Sequence, residues 1–271
     1  MKYLEKTVNF IIKNYLLAIP LWAMQVIPAV LGSRTVSLLS DAGRWMSLLS
    51  DPSAMRDPAE ILGIISSIMP LFVGAGIISF VLAFVVLPAT YGMINKAAAT
   101  GHADLNDFVP ALKENIVKYI LYWLGTLVVF FIIGIAMFLV ILLLSLLVIL
   151  LKWFGIIIAV LAFIAILILS FVINALLGLW FPSMVIENLS VFDALKKSIS
   201  IVSKNLLVVV GITLLISVAS AIVGFILSFL DIIPVIGPII TSIIPALSSF
   251  ALFTFYIMIY REKSSMDSAA V

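Results

Sequence analysis

The residues best equipped for chemistry stand together in Thr100-Gly101-His102-Ala103-Asp104, with Asp107 three residues further on. His102 is the one histidine of the chain, and there is no cysteine. A histidine beside two carboxylates is the raw material of a metal or acid–base site facing lipid headgroups. One histidine and two loop aspartates fall short of the donor set a zinc ion takes. The same residues read more simply as a hinge that ends one helix and caps the next. Lacking cysteine, the chain forms no disulfide and has no thiolate ligand or cysteine nucleophile. The expectation is a protein that is not an enzyme and that uses no metal or cofactor.

The remaining polar candidates lie in or beside long apolar runs. Asn174, with Ser170 one turn before it, is the most polar point of its run; the default role is an interhelical hydrogen bond, and the sharper one is a ligand contact. Ser217, Ser220, Gly224 and Ser228 share one helical face, a packing seam or the wall of a groove. Glu187 lies just past an apolar run, within reach of Lys196 or Lys197, and reads as a tether. Lys196, Lys197 and Lys204 repeat along an amphipathic segment that would lie on anionic headgroups, each gaining about 1 kcal/mol near such a surface. The basic residues are too few and dispersed for a nucleic-acid partner.

What positions these residues is a chain that is 65% hydrophobic and 10% charged, with mean hydropathy +1.35. Soluble chains carry about 25% charged residues, so the class is an all-α, polytopic membrane protein forming one membrane domain. The runs are apolar on every side, which excludes the alternation of a membrane β-barrel. Tyr119–Phe181 holds 63 residues with Lys152 its one formal charge. As one helix it would reach about 95 Å against a hydrocarbon core of about 30 Å, so it must fold back.

Folding back once, near Leu151–Gly155, gives six spans at about 15–31, 61–87, 119–150, 154–181, 206–230 and 239–260. Lys2, Lys6, Lys13, Lys96, Lys113, Lys118, Lys196, Lys197, Lys204, Arg261 and Lys263 then share one side, eleven against the four of Arg34, Arg44, Arg56 and Lys152. That bias puts both termini in the cytoplasm of a cell or inner membrane. Glu5 in the first segment and the lack of a small-residue cleavage site make the first run a signal anchor. Further expectations are an interfacial helix around Leu38–Asp51, a second span ending at Pro88, a small-residue face at Gly63, Ser67, Pro70 and Gly74, and a tight hairpin at Asp231–Pro238 leading into a kinked last span.

A repeat runs through the basic segments. Lys6, Thr7, Lys13 and Asn14 coincide with Lys197, Ser198, Lys204 and Asn205 at a constant offset of 191. Ala111-Leu112-Lys113 echoes Ala194-Leu195-Lys196. The reading is three helical hairpins, each preceded by a cytoplasmic amphipathic helix, running parallel and so unlike the inverted repeats of secondary transporters.

Trp180-Phe181-Pro182-Ser183-Met184-Val185-Ile186-Glu187, the segment Ser190–Ser198 and the pair Lys204-Asn205 resemble prokaryotic six-span proteins related to the membrane domain of glycerophosphoryl diester phosphodiesterases. The resemblance covers about residues 90–260. It implies the fold and a relation to lipid or envelope physiology. This chain lacks the catalytic barrel of the full-length enzymes, so their hydrolase activity does not carry over. The function expected is handling of lipids or amphiphiles, or service as the membrane subunit of an envelope complex. The alternative is a permease or channel for a small neutral or amphiphilic solute; the partners are membrane lipids, with a protein partner or a homo-oligomer open.

Overall fold

In a bilayer, an apolar chain satisfies its backbone only as helix or closed barrel. The computed structural model, which describes residues 2–39, 58–233 and 235–269, is helical, with no strand among the described residues. The protein is an all-α polytopic membrane protein. Five helical stretches are long and apolar enough to cross a membrane. A sixth, Tyr15–Leu31, joins the count when taken with Tyr3–Lys13, from which it turns by 88°.

The first unit comprises α1 (Lys2–Lys13), a 3-10 turn at Tyr15–Ala18, α2 (Ile19–Leu39) and α3 (Pro58–Thr100). The second comprises α4 (Phe108–Leu151), α5 (Trp153–Gly178) and the short α6 (Trp180–Glu187). The third comprises α7 (Val191–Lys204), α8 (Leu206–Leu227), the short α9 (Ile236–Thr241) and α10 (Ile243–Ala269).

Several expectations change in detail. The second span does not end at Pro88, because α3 runs through it to Thr100. Proline removes one helical hydrogen bond, but Ala89, Tyr91, Met93, Ile94 and Ala97 beyond it are all buried and hold the helix. The fourth span breaks at Leu179, so that Trp180–Glu187 forms a helix of its own. The middle unit has no separate amphipathic helix: its basic segment is the first part of the continuous α4. Most of the expected interfacial helix and the arginines Arg44 and Arg56 lie outside the described residues. So does the packing of the expected small-residue face at Gly63, Ser67 and Pro70, while Gly74 faces open space.

The turns themselves have clear local causes. Lys152 takes a positive φ of 51° between α4 and α5, and a Cβ on Gly155 would stand 2.5 Å from both the Leu147 carbonyl oxygen and the Val148 Cα. Only glycine permits that approach of two backbones. At the far link, Asp231 accepts a hydrogen bond from Thr241 at 2.8 Å and Pro238 is buried, giving a tight hairpin into a last span whose helix is interrupted at Ser242. Ser190 caps α7 by accepting from the Asp193 N–H.

One contact recurs three times. The corners Asn14 and Asn205 have nearly the same backbone angles, φ −123°, ψ 28° and φ −129°, ψ 26°, and each side-chain amide donates to the carbonyl four residues back. At matching positions in the three basic segments stand Thr7, Asn115 and Ser198, all buried. Each basic segment packs on the descending helix of the unit before it. Asn115 and Ala111 meet Gly92 of α3, where an added Cβ would stand 2.7 and 2.8 Å away. Ser183 of α6 donates to the carbonyl of Ala194 in α7 at 3.2 Å. Thr7 of α1 meets Met258 of α10 at 3.9 Å, which closes the order into a ring.

Replacing Gly155 with valine is expected to lower the stability of the purified protein by about 1–3 kcal/mol, the usual cost of forcing atoms into a packed contact. Gly134, with nothing within 4 Å of its added Cβ, is the control: Gly134→Ala is expected to leave the detergent melting curve unchanged or to raise it slightly.

Candidate functional site

Phe181 and Tyr91 gather all three units at the basic end of the bundle. Phe181 meets Tyr91 edge-on at 5.0 Å, Tyr119 at 5.2 Å and Tyr122 at 5.3 Å. Tyr91 in turn stacks on Phe253 of α10 at 4.3 Å. Trp180, fully buried, packs against Tyr122 and donates its indole N–H to the Val191 carbonyl at 2.7 Å. The run Trp180–Val185 is buried throughout, because α6 is the helix that the other two units enclose.

Beside this cluster lies a cavity of about 320 Å³, at the small end of the roughly 300–1,000 Å³ typical of small-molecule sites. Tyr91, Tyr122, Phe130, Trp180, Phe181 and Tyr256 make its wall. Polar side chains reach it from four helices, α4, α5, α8 and α10. Thr126 hydrogen-bonds to its own helix at the Tyr122 carbonyl, and Thr213 and Tyr256 share a hydrogen bond of 3.2 Å across α8 and α10. Asn174 donates one amide hydrogen to the Ser170 carbonyl at 2.8 Å. Its amide oxygen has no partner among the described residues, and Asn174 and Phe130 stand exposed at the rim. Tyr256 lies flat on Gly178, where a Cβ would come within 2.9 Å of the ring.

The other candidates fall elsewhere. Ser170 bonds to the Ile166 carbonyl within its own helix. Ser217 is exposed, Ser220 half-buried, and neither lines the cavity. α8 contributes Thr213 instead, one turn nearer the basic end, a residue that the serine spacing did not single out. Glu187 accepts two hydrogen bonds from Lys197, at 2.8 and 3.0 Å, both residues partly buried. Lys6 makes the matching pair with Glu262 at 2.8 Å. Lys196 and Lys204 are exposed on α7, beside the exposed Phe192 and Ile199.

His102 stands 4.0 Å from Asp104 on an exposed turn. The carboxylates there work as caps: Asp104 accepts from the Asn106 N–H at 2.8 Å, and Asp107 accepts from the Asp104 N–H at 3.1 Å. Lys96 also donates to Asp107, and that hydrogen bond holds the Asp107 carboxyl below its ordinary range. No group of three or more metal-capable side chains occurs among the described residues.

Residues 22–259 match the family described as "Domain of unknown function (DUF7847)", which is nearly the whole of the chain, and the protein belongs to that family. No curated protein and no solved structure matches it.

The Glu187–Lys197 pair is expected to couple by about 1 kcal/mol in a double-mutant cycle of Glu187→Gln and Lys197→Met, read by thermal unfolding. Substitution of His102 by alanine is expected to leave the same melting curve unchanged.

Proposed function

We propose that the protein binds a membrane amphiphile in the aromatic cavity where its three units meet, without carrying out chemistry on it. The supporting observation is the pairing of an apolar, aromatic wall with the uncommitted amide oxygen of Asn174 at an exposed rim. A polar group placed in hydrocarbon is costly unless a partner satisfies it. A hydroxyl or amide donor carried by an amphiphile satisfies Asn174 while its chain lies against Tyr122, Phe130 and Trp180. A solute path would need polar residues in series, and the displacement of Ser217 and Ser220 from the cavity favours the amphiphile over the permease reading.

The same proposal places the protein in a prokaryotic inner membrane with both termini cytoplasmic, supported by the eleven basic residues gathered on one side. The cavity then opens in the cytoplasmic leaflet, about 10 Å in from the basic end at 1.5 Å per residue. The resemblance of Trp180–Glu187 and Ser190–Ser198 to the phosphodiesterase membrane domain points to the same lipid physiology.

Mass spectrometry of the protein purified in mild detergent is expected to find a co-purifying amphiphile. Thr126→Phe, which fills the cavity, is expected to lower its occupancy about tenfold, a loss of about 1.4 kcal/mol. Equal occupancy in the variant would remove the cavity from the account. In the otherwise cysteine-free chain, cysteines at Lys196 and Lys152 are expected to label from opposite faces of intact cells; labelling of both from one face would overturn the orientation.

A further inference from the structure

A second concave site lies outside the aromatic cavity, on the basic face between α1, the end of α3 and the end of α10. It measures about 610 Å³, and its polar lining includes Lys6, Lys13, Asn14, Arg261 and Glu262. Lys6 is already neutralised by Glu262 at 2.8 Å. Lys13 has no hydrogen-bond or ion-pair partner among the described residues. Arg261 commits only its Nε, to the Asn95 side-chain oxygen at 3.1 Å. Lys13 and the half-buried Arg261 thus both line one recess, neither paired with a carboxylate among the described residues, and both terminal guanidinium nitrogens are uncommitted there.

We propose that this recess binds the phosphate of an anionic phospholipid headgroup, with the Arg261 guanidinium and the Lys13 ammonium as its ligands. A guanidinium fork matches two phosphate oxygens, and an ammonium adds a third charge-assisted contact. The surroundings select a lipid over free phosphate. Lys13 is flanked by Ile12 and Leu16, which are 68% and 50% exposed, so an acyl chain has apolar surface beside the anion. Phe10, Ala97 and Met258 supply apolar wall inside the recess itself. Arg261 also directly follows the apolar part of the last span, so that a bilayer housing that span would bring its headgroups close to it.

The repeat shows that the latch beside this position does not call for an arginine. The latch Lys6–Glu262 has its counterpart in Lys197–Glu187, yet the residue before Glu187, in the place of Arg261, is Ile186. The same helix-on-helix contact thus forms with an apolar residue there. Arg261 and Lys13 give this recess a charge that the latch does not require.

The test uses the full chain purified in a neutral detergent, titrated with dioctanoyl phosphatidylglycerol, dioctanoyl phosphatidylcholine or inorganic phosphate, and read by thermal unfolding and native mass spectrometry. Phosphatidylglycerol is expected to raise the melting temperature and to remain bound, with the other two inert over the same concentrations. Lys13→Gln and Arg261→Gln are each expected to weaken that binding about tenfold, whereas Lys196→Gln leaves it unchanged. If Arg261→Gln does not fold, Lys13→Gln carries the test, because Lys13 has no internal partner to lose. Unaltered binding in Lys13→Gln, or equal protection by phosphatidylcholine, overturns the proposal. Protection by inorganic phosphate at the same affinity assigns the recess to the free ion and overturns the lipid. Thr126→Phe is expected to leave phosphatidylglycerol binding intact, so failure of the cavity and failure of the recess are read separately.

Discussion

Inside a bilayer the hydrophobic effect does not draw helices together, since lipid tails are as apolar as leucine; packing and hydrogen bonds must do so. In this protein they are concentrated at one end. Trp180–Val185 is buried throughout, and the rings of Tyr91, Tyr119, Tyr122, Phe181 and Phe253 touch in sequence across all three units. Away from that end, α4 and α5 remain exposed along their length, from Phe131 (70% exposed) to Trp153 (81%), as helices facing lipid should. The bundle is thus tied at its basic end, and the hairpin of α4 and α5 stands out from it.

The tie is made by a contact used three times over, with local chemistry that differs each time. Two copies carry a Lys–Glu latch at 2.8 Å. At the middle copy, the position matching Lys6 and Lys197 is Glu114, and the pairing there runs from Lys96 of α3 to Asp107 instead. The charge order is reversed while the buried polar residue, Asn115, is kept. The first and last units meet through Lys6, Thr7 and Trp22, the last of which donates to the Ile239 carbonyl and the Ser242 hydroxyl. Closing the order in this way leaves no basic helix without a descending helix to rest on.

Composition alone made the fold class legible, because no arrangement except membrane-spanning helices can house Tyr119–Phe181. The offset of 191 also marked the corners at Asn14 and Asn205, where the same residue in the same local setting takes the same bend. Helix ends were harder to read. Pro88 looks like a stop, but apolar burial after it outweighs the lost hydrogen bond, and no local signal reports that burial. The cavity was half legible: Asn174 stands out by type, whereas Thr213 and Tyr256 matter only because α8 and α10 bring them within 3.2 Å of each other. Glu262 hid among the basic residues near the C-terminus, since its partners Lys6 and Tyr3 lie at the other end of the chain.

Residues that obey the repeat serve the scaffold, so function is best sought where the repeat is broken. Thr7, Asn115 and Ser198 are equivalent and buried, and each is accounted for by the contact it makes. Arg261 departs from its counterpart Ile186, and it faces a recess. Asn174 sits on the descending helix that breaks at Leu179, and the short helix after that break contributes Trp180 and Phe181 to the cavity wall. Both departures lie near the boundary between the packed end and the lipid-facing spans. At that boundary a polar atom can be held by a rigid frame and still be reached from the membrane. Deeper in the spans nothing would hold such an atom, and within the packed end nothing could reach it.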